Sequence, residues 1–281
     1  MKVMEYLHPD WGDVFYRISK AFHDYAPDWV EWVEKPEDSD VYIVHVVGRG
    51  ELPELKREVR NKVIIQQCYF TAEANLANYP AYWKDALLTI SFHNLPDYTD
   101  EKFNFYRMPW GADKRVFRRH NWSKIRDVKL FTTGHVAGPE SIDIVFEAIK
   151  SVGAVMLHTG KDFKWDNKHY KYVPHMPNWA LVNLLNRTQY IACLRKIEGF
   201  ELLGIEGLFC GARPIILDLP TYDFYGDHAY TISPQDITKQ LIEILSKEPL
   251  YVGKEEHEKV VQTFGWDNLI PKMFERIRDY L

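Results

Sequence analysis

The chain has 281 residues, 46% of them hydrophobic and 15% aromatic, and a net charge of −5. That length suits one large or two small domains with ample core, and the negative balance argues against a surface built for nucleic acid. Three cysteines (Cys68, Cys193, Cys210), an odd number without tight spacing, argue against a disulfide framework or a zinc site and for a reducing, cytoplasmic setting.

In chain order, residues 2–7 read as a first strand rather than a signal peptide, because the short apolar run is broken by His, Pro and Asp. A helix over 13–25 places Val14, Phe15, Ile18 and Phe22 on one face. Residues 41–47, 62–67, 86–91 and 103–108 read as further strands, mostly continuous apolar runs of the kind covered on both faces in a parallel sheet. A second series opens with a strand at 128–133 and a helix at 140–151. Strands at 154–158 and 170–173 and a helix at 178–186 follow. Then come a strand at 190–194, a helix at 202–210 and strands at 214–218 and 229–232. Helices at 234–246 and 266–281 complete it. Alternating strands and helices in two series imply two Rossmann-like domains whose ligands sit at the carboxyl ends of the strands, in a cleft. No run approaches the roughly 18 apolar residues of a membrane span.

The stretch EGFELLGIEGLFCGARP, residues 198–214, carries the most chemistry. Glu198 precedes the helix expected from Leu202, and Glu206 lies in its first turns. A helix N-terminus offers free N–H groups and partial positive charge to an anion such as phosphate. Carboxylates before and within that helix suit a ligand with hydroxyls at both ends and a diphosphate between.

This stretch resembles the signature of retaining GT-B glycosyltransferases, particularly glycosyltransferase family 4, with its Glu-Gly-Phe-Gly…Glu run ending in Cys/Gly-x-Pro. YRMPWGADKRVF, residues 106–117, is similar to the family's interdomain stretch, with Trp110 where Asn is usual. DVYIVH (40–45), DALLTIS (85–91), residues 229–245 and the Phe-x-Trp at 264–266 add weaker points of similarity. The resemblance implies a GT-B fold: an acceptor-side domain over 1–108 with a returning helix at 266–281, and a nucleotide-sugar-binding domain over 109–265.

By the same resemblance Glu206 holds the ribose hydroxyls. Glu198 faces the donor sugar, with Gly199 and Phe200 offering backbone N–H groups beside it. The family usually supplies Arg and Lys to the diphosphate, one from the loop after the second domain's first strand. Here that loop, GHVAGPES (134–141), holds neither. Arg195 and Lys196 are the substitutes expected in catalysis, with Gly134 and His135 as further phosphate-side groups. The base is expected along the loop 173–176, which includes His175. Backbone recognition there does not separate UDP, GDP and ADP sugars, and a UDP-sugar such as UDP-glucose is the expected donor. On the acceptor side His8 and Gly12 fall near the place of a Gly-rich loop, and His45 and His93 are further candidates. The family's frequent His is missing from QQCYF (66–70).

No metal and no separate cofactor are expected. Asp38-Ser39-Asp40 matches an Asp-x-Asp motif but precedes a strand, and His158, His169 and His175 lack ligand spacing. The connector 112–129 holds seven Lys and Arg against two Asp, a solvated linker or a phosphate-tracking patch. Three readings stand. One is a retaining hexosyltransferase acting on a hydroxyl acceptor, whether DNA, a glycan or a lipid. The second is a glucosyltransferase acting on hydroxymethylated DNA bases. The third is a non-catalytic nucleotide-sugar-binding subunit.

Overall fold

The computed structural model describes residues 1–6, 13–47, 62–69, 79–120, 126–165, 168–196 and 200–281. The chain divides into two compact units, Met1–Trp110 with Trp266–Leu281, and Gly111–Gly265.

The first unit holds β1 (Lys2–Tyr6), α1 (Asp13–Tyr25), β2 (Glu31–Trp32), β3 (Val41–Val47), β4 (Val63–Tyr69), α2 (Tyr79–Asp85), β5 (Leu88–Ser91) and β6 (Phe105–Arg107). Its strands form one parallel sheet in the order β2-β1-β3-β4-β5-β6. Alternation along β3 sends Tyr42, Val44 and Val46 to a core shared with Tyr79 and Trp83 of α2, whose rings stack at 6.0 Å. His45 points to the other face, against Phe22 of α1. The chain's last helix, Trp266–Arg278, belongs to this unit. Trp110, in place of the Asn usual in the resembling family, packs edge-on against Trp266 at 5.9 Å, which gives the bulky residue a structural use.

The second unit holds β7 (Val128–Gly134), α3 (Ile142–Ser151), β8 (Met156–Gly160), β9 (Tyr170–Tyr172), α4 (Asn178–Arg187) and β10 (Thr188–Cys193). Then follow α5 (Leu202–Phe209), β11 (Arg213–Leu217), β12 (Tyr230–Ile232), α6 (Ile237–Ser246) and α7 (Lys254–Phe264), and the chain's last helix in the first unit is α8. Its sheet is also parallel, ordered β12-β11-β10-β7-β8-β9. The chain enters and leaves this unit side by side, where the Ala112 N–H donates to the Phe264 carbonyl at 2.9 Å and Ala112 bridges Gly265.

Two parallel six-stranded sheets flanked by helices agree with the α/β reading of the sequence. Two helices were not expected. In α2 (YPAYWKD) a proline and crowded aromatics mask the period; in α7 (KEEHEKVVQTF) only Val260 and Phe264 are buried. The basic connector is a strap within the second unit. The Arg126 guanidinium is buried and donates to the carbonyls of Leu185, Thr188 and Cys210 at 3.0, 2.7 and 2.8 Å. Burial, with Arg119 nearby, lowers its pKa to about 10. Arg119 donates to the Val252 carbonyl, and Arg115 grips Asp113. These three of the seven cations are therefore spent on the unit's own backbone and side chains, and Lys124 lies outside the described residues.

Candidate active site

In an open parallel sheet, ligands bind beyond the carboxyl ends of the strands where the winding reverses. In the second unit β7, β8 and β9 run one way across the sheet and β10, β11 and β12 the other, so the switch point lies between β7 and β10. The loops flanking it are 135–141 and 194–201, the two that the sequence singled out.

These loops are stitched together. The Lys196 N–H donates to the Pro139 carbonyl at 3.1 Å, and the Ser141 hydroxyl to the Leu194 carbonyl at 2.9 Å. Between them lies an acid–base–acid trio. Arg195 Nη2 is 2.9 Å from Glu140 Oε1, and Arg195 Nε is 3.7 Å from Glu201 Oε1. The other Glu140 oxygen accepts the backbone N–H groups of His135 and Val136 at 2.5 and 2.7 Å. The loop N–H groups expected to face a phosphate thus already hold a carboxylate. Gly134 makes room for it, since a Cβ there would lie 2.3 Å from Glu140 Oε2.

All eight residues of α5 are buried. The helix lies close on β10 because positions 204 and 207 carry no side chain: a Cβ at Gly204 would meet the Tyr225 hydroxyl at 2.3 Å and Cys193 Sγ at 2.9 Å, and one at Gly207 would meet Ile191 at 2.7 Å. Glu206 is only 3% exposed. A carboxylate so deeply buried in an otherwise apolar helix is tolerated only where polar partners meet it, which makes the position a candidate for binding hydroxyls. The Phe200 ring stacks on Tyr225 at 5.3 Å and touches Phe264, anchoring the loop in the core and leaving its backbone as the part that can serve a ligand. The Tyr225 hydroxyl donates to the Glu201 carbonyl at 2.9 Å, fixing the start of the helix.

Other expected site residues fall as follows. Glu198 and Gly199, and His8 and Gly12 in the first unit, lie outside the described residues. Lys196 is exposed and lines a pocket of about 470 Å³ with Ile144, Asp236, Ile237 and Lys239. Gly134 ends β7, His135 is exposed in the loop after it, and exposed His175 follows β9.

His45 and His93, the further acceptor-side candidates, are both buried in the first unit. His45 is fully buried, with Nε2 2.6 Å from Glu5 Oε1. Glu5 also takes the Ser19 hydroxyl at 2.6 Å and lies 3.0 Å from His23 Nε2. Burial alone would raise the Glu5 pKa, but the hydrogen bonds of His23, His45 and Ser19 outweigh it and hold the carboxyl down to about 2. His93 is buried against Phe92, and burial, with Arg107 nearby, lowers its pKa to about 4.

Glu140 and Glu201 were missed. Glu201 stands where the resembling family has Gly, directly before an apolar helix. Glu140 reaches back four and five residues across a turn. An acid one or two residues before a helix, in the loop that follows a strand, was the available signal.

The fold is the GT-B glycosyltransferase fold. Among solved structures the chain is similar to a sucrose-phosphate synthase from Thermosynechococcus elongatus (TM-score 0.72, 11% identity, 99% of this chain and 98% of that one). It is also similar to the pneumococcal O-GlcNAc transferase GtfA, solved with UDP and GlcNAc (TM-score 0.64, 13% identity, 86% and 57%). A third is a trehalose-6-phosphate synthase studied for glycosyl transfer with retention (TM-score 0.62, 11% identity, 93% and 83%). No protein-family model matches the chain, and no curated protein matches it in sequence. No helix among the described residues is long and apolar enough to cross a membrane, and none of their His, Cys, Asp and Glu clusters could hold a metal ion.

Proposed function

We propose that the protein is a glycosyltransferase that moves a hexose from a nucleoside-diphosphate sugar to a hydroxyl acceptor, with retention of configuration. The observation that carries this reading is the position of Arg195, Lys196 and the 200–206 segment. These described parts of a motif recognised from sequence flank the switch point of a parallel sheet in a GT-B fold, where the topology alone would put a ligand. GtfA's UDP complex and the trehalose-6-phosphate synthase's retention support donor class and stereochemistry by analogy of fold.

In this reading the buried Glu206 carboxylate takes the vicinal hydroxyls of the nucleotide ribose, and Glu198 those of the sugar. The bond from the anomeric carbon to the diphosphate oxygen breaks, leaving an oxocarbenium-like sugar. The electron pair stays on the diphosphate, whose added charge is balanced by Arg195, Lys196 and the N–H groups of the 135–141 loop. The acceptor hydroxyl adds to the same face, and its proton passes to a leaving phosphate oxygen. Such a scheme runs on positioning and leaving-group stabilisation and calls for neither a metal nor a strong protein base. The buried thiols Cys193 and Cys210 suit a reducing, cytoplasmic compartment.

The acid–base–acid trio favours a second reading, a nucleotide-sugar-binding subunit without turnover, because Arg195 is already engaged by two carboxylates. The internal use of Arg115, Arg119 and Arg126 removes support from a DNA acceptor. A thermal-shift screen with UDP-, GDP- and ADP-sugars, followed by donor hydrolysis and transfer assays, separates the readings. A ligand bound only by the native state raises Tm in proportion to occupancy. Turnover supports the enzyme, binding without turnover on any acceptor supports the subunit, and no binding at all defeats both.

A further inference from the structure

The geometry points to Glu140 as an intramolecular occupant of an anion seat: its carboxylate holds the place of a ligand's phosphate, and a phosphate-bearing ligand binds there by displacing it. One oxygen receives the converging N–H groups of His135 and Val136, and the other receives the guanidinium of Arg195. Two loop N–H groups and an arginine around a bare glycine form a concavity for anionic oxygens, and carboxylate and phosphate oxygens accept the same donors. The N-terminus of α3 adds its field to the same place.

The seat does not depend on its occupant for shape. The Ile142 N–H donates to the Ala137 carbonyl, the Ser141 N–H to that of Gly138 and the Lys196 N–H to that of Pro139, at 2.9, 3.0 and 3.1 Å. The Ser141 hydroxyl holds Leu194. None of these bonds uses the Glu140 carboxylate, so rotation of that side chain leaves the loop N–H groups in place. Displacement would also release Arg195 from one of its two acids. Affinity for an external anion is then reduced by the fraction of time the seat is filled from within. The inference deepens the proposed function, and rests on it only for the name of the anion, a nucleoside diphosphate.

The test is calorimetric titration of the full chain with inorganic pyrophosphate, for the wild type, Glu140→Ala, Glu140→Gln and the double variant Glu140→Ala/Arg195→Ala. Removing the competing charge should tighten pyrophosphate binding by roughly tenfold or more in Glu140→Ala, and the gain should vanish in the double variant. Folded Glu140→Ala that binds pyrophosphate no more tightly than the wild type overturns the proposal. Should that variant fail to fold, Glu140→Gln, whose amide oxygen can still accept both N–H groups, must bind more tightly, and unchanged affinity overturns the proposal equally. A parallel titration with UDP-glucose keeps the two ideas apart. Tighter pyrophosphate binding without any nucleotide-sugar binding leaves the seat standing and sinks the donor reading. UDP-glucose binding with no gain on removing the carboxylate does the reverse.

Discussion

In the first unit a glutamate is shut in among Ser19, His23 and His45 under a helix, while in the second the glutamates gather around one arginine where strands end and loops begin. The ingredients are similar, acids with basic partners, and the settings differ. Glu5 is the last residue but one of β1, still within the strand, and its partners come from the neighbouring strand and the covering helix. Glu140 and Glu201 lie one element further on, past the carboxyl ends of β7 and β10, in loops whose backbone a ligand can reach. A charge fixed inside the sheet serves stability, and a charge at the strand ends is available for exchange with a ligand. Substitutions in the two places should therefore register in different assays.

The largest effect should come from Arg126→Ala, which leaves three buried carbonyls without their donor. We expect a loss of about 4 kcal/mol in denaturant unfolding, with nucleotide affinity of the remaining folded protein unchanged. A change in affinity with little change in stability would erase the distinction drawn above.

Glu5→Gln should cost on the order of 3 kcal/mol at neutral pH, from a carboxyl pKa lowered from 4.5 to about 2. The sign follows from the depressed folded value. The stabilisation is whole above pH 4.5 and is lost as the pH falls toward 2, so the substitution should flatten unfolding free energy across that window. His93 works in a higher window. Its pKa falls from 6.5 to about 4 on folding, so the unfolded chain takes up the proton first and stability declines as the pH drops from about 6.5 to about 4. His93→Phe should remove that slope, as read by melting temperature against pH.

In the second unit, Glu206→Gln keeps shape and removes charge. It should weaken nucleotide-sugar binding by about 100-fold, the scale of a lost charge-assisted pair of hydrogen bonds, with a melting temperature equal to or above the wild type. The smallest effect is expected for Lys196→Ala, an exposed side chain beside the pocket, at about threefold to tenfold in donor KM with no change in Tm.

The parallel sheets were legible in the sequence because runs such as VYIVHVV leave no polar face for solvent, and the alternation with helices fixes how such strands connect. The 198–206 motif was legible as a motif, and topology supplied a separate reason for its place. What escaped were partners across turns. Periodicity reports which face of an element is apolar. It is silent on a carboxylate folding back on its own loop, as Glu140 does, or on a histidine taking an interior glutamate from a strand 40 residues away, as His45 does. Phe200 was expected to offer its backbone N–H, and its ring packs in the core against Tyr225 and Phe264.

The close approach of α5 to β10 rests on two missing side chains, at Gly204 and Gly207, despite a helix-propensity cost of about 1 kcal/mol for each. The thickness of that seam sets how deep residue 206 sits below the loops. A single added methyl would act as a shim: a Cβ at 204 would sit 2.3 Å from the Tyr225 hydroxyl and one at 207 would sit 2.7 Å from Ile191, so the helix or its neighbours must give way. The depth of that carboxylate is thus adjustable by the smallest of substitutions, made one and two positions away from it in the sequence.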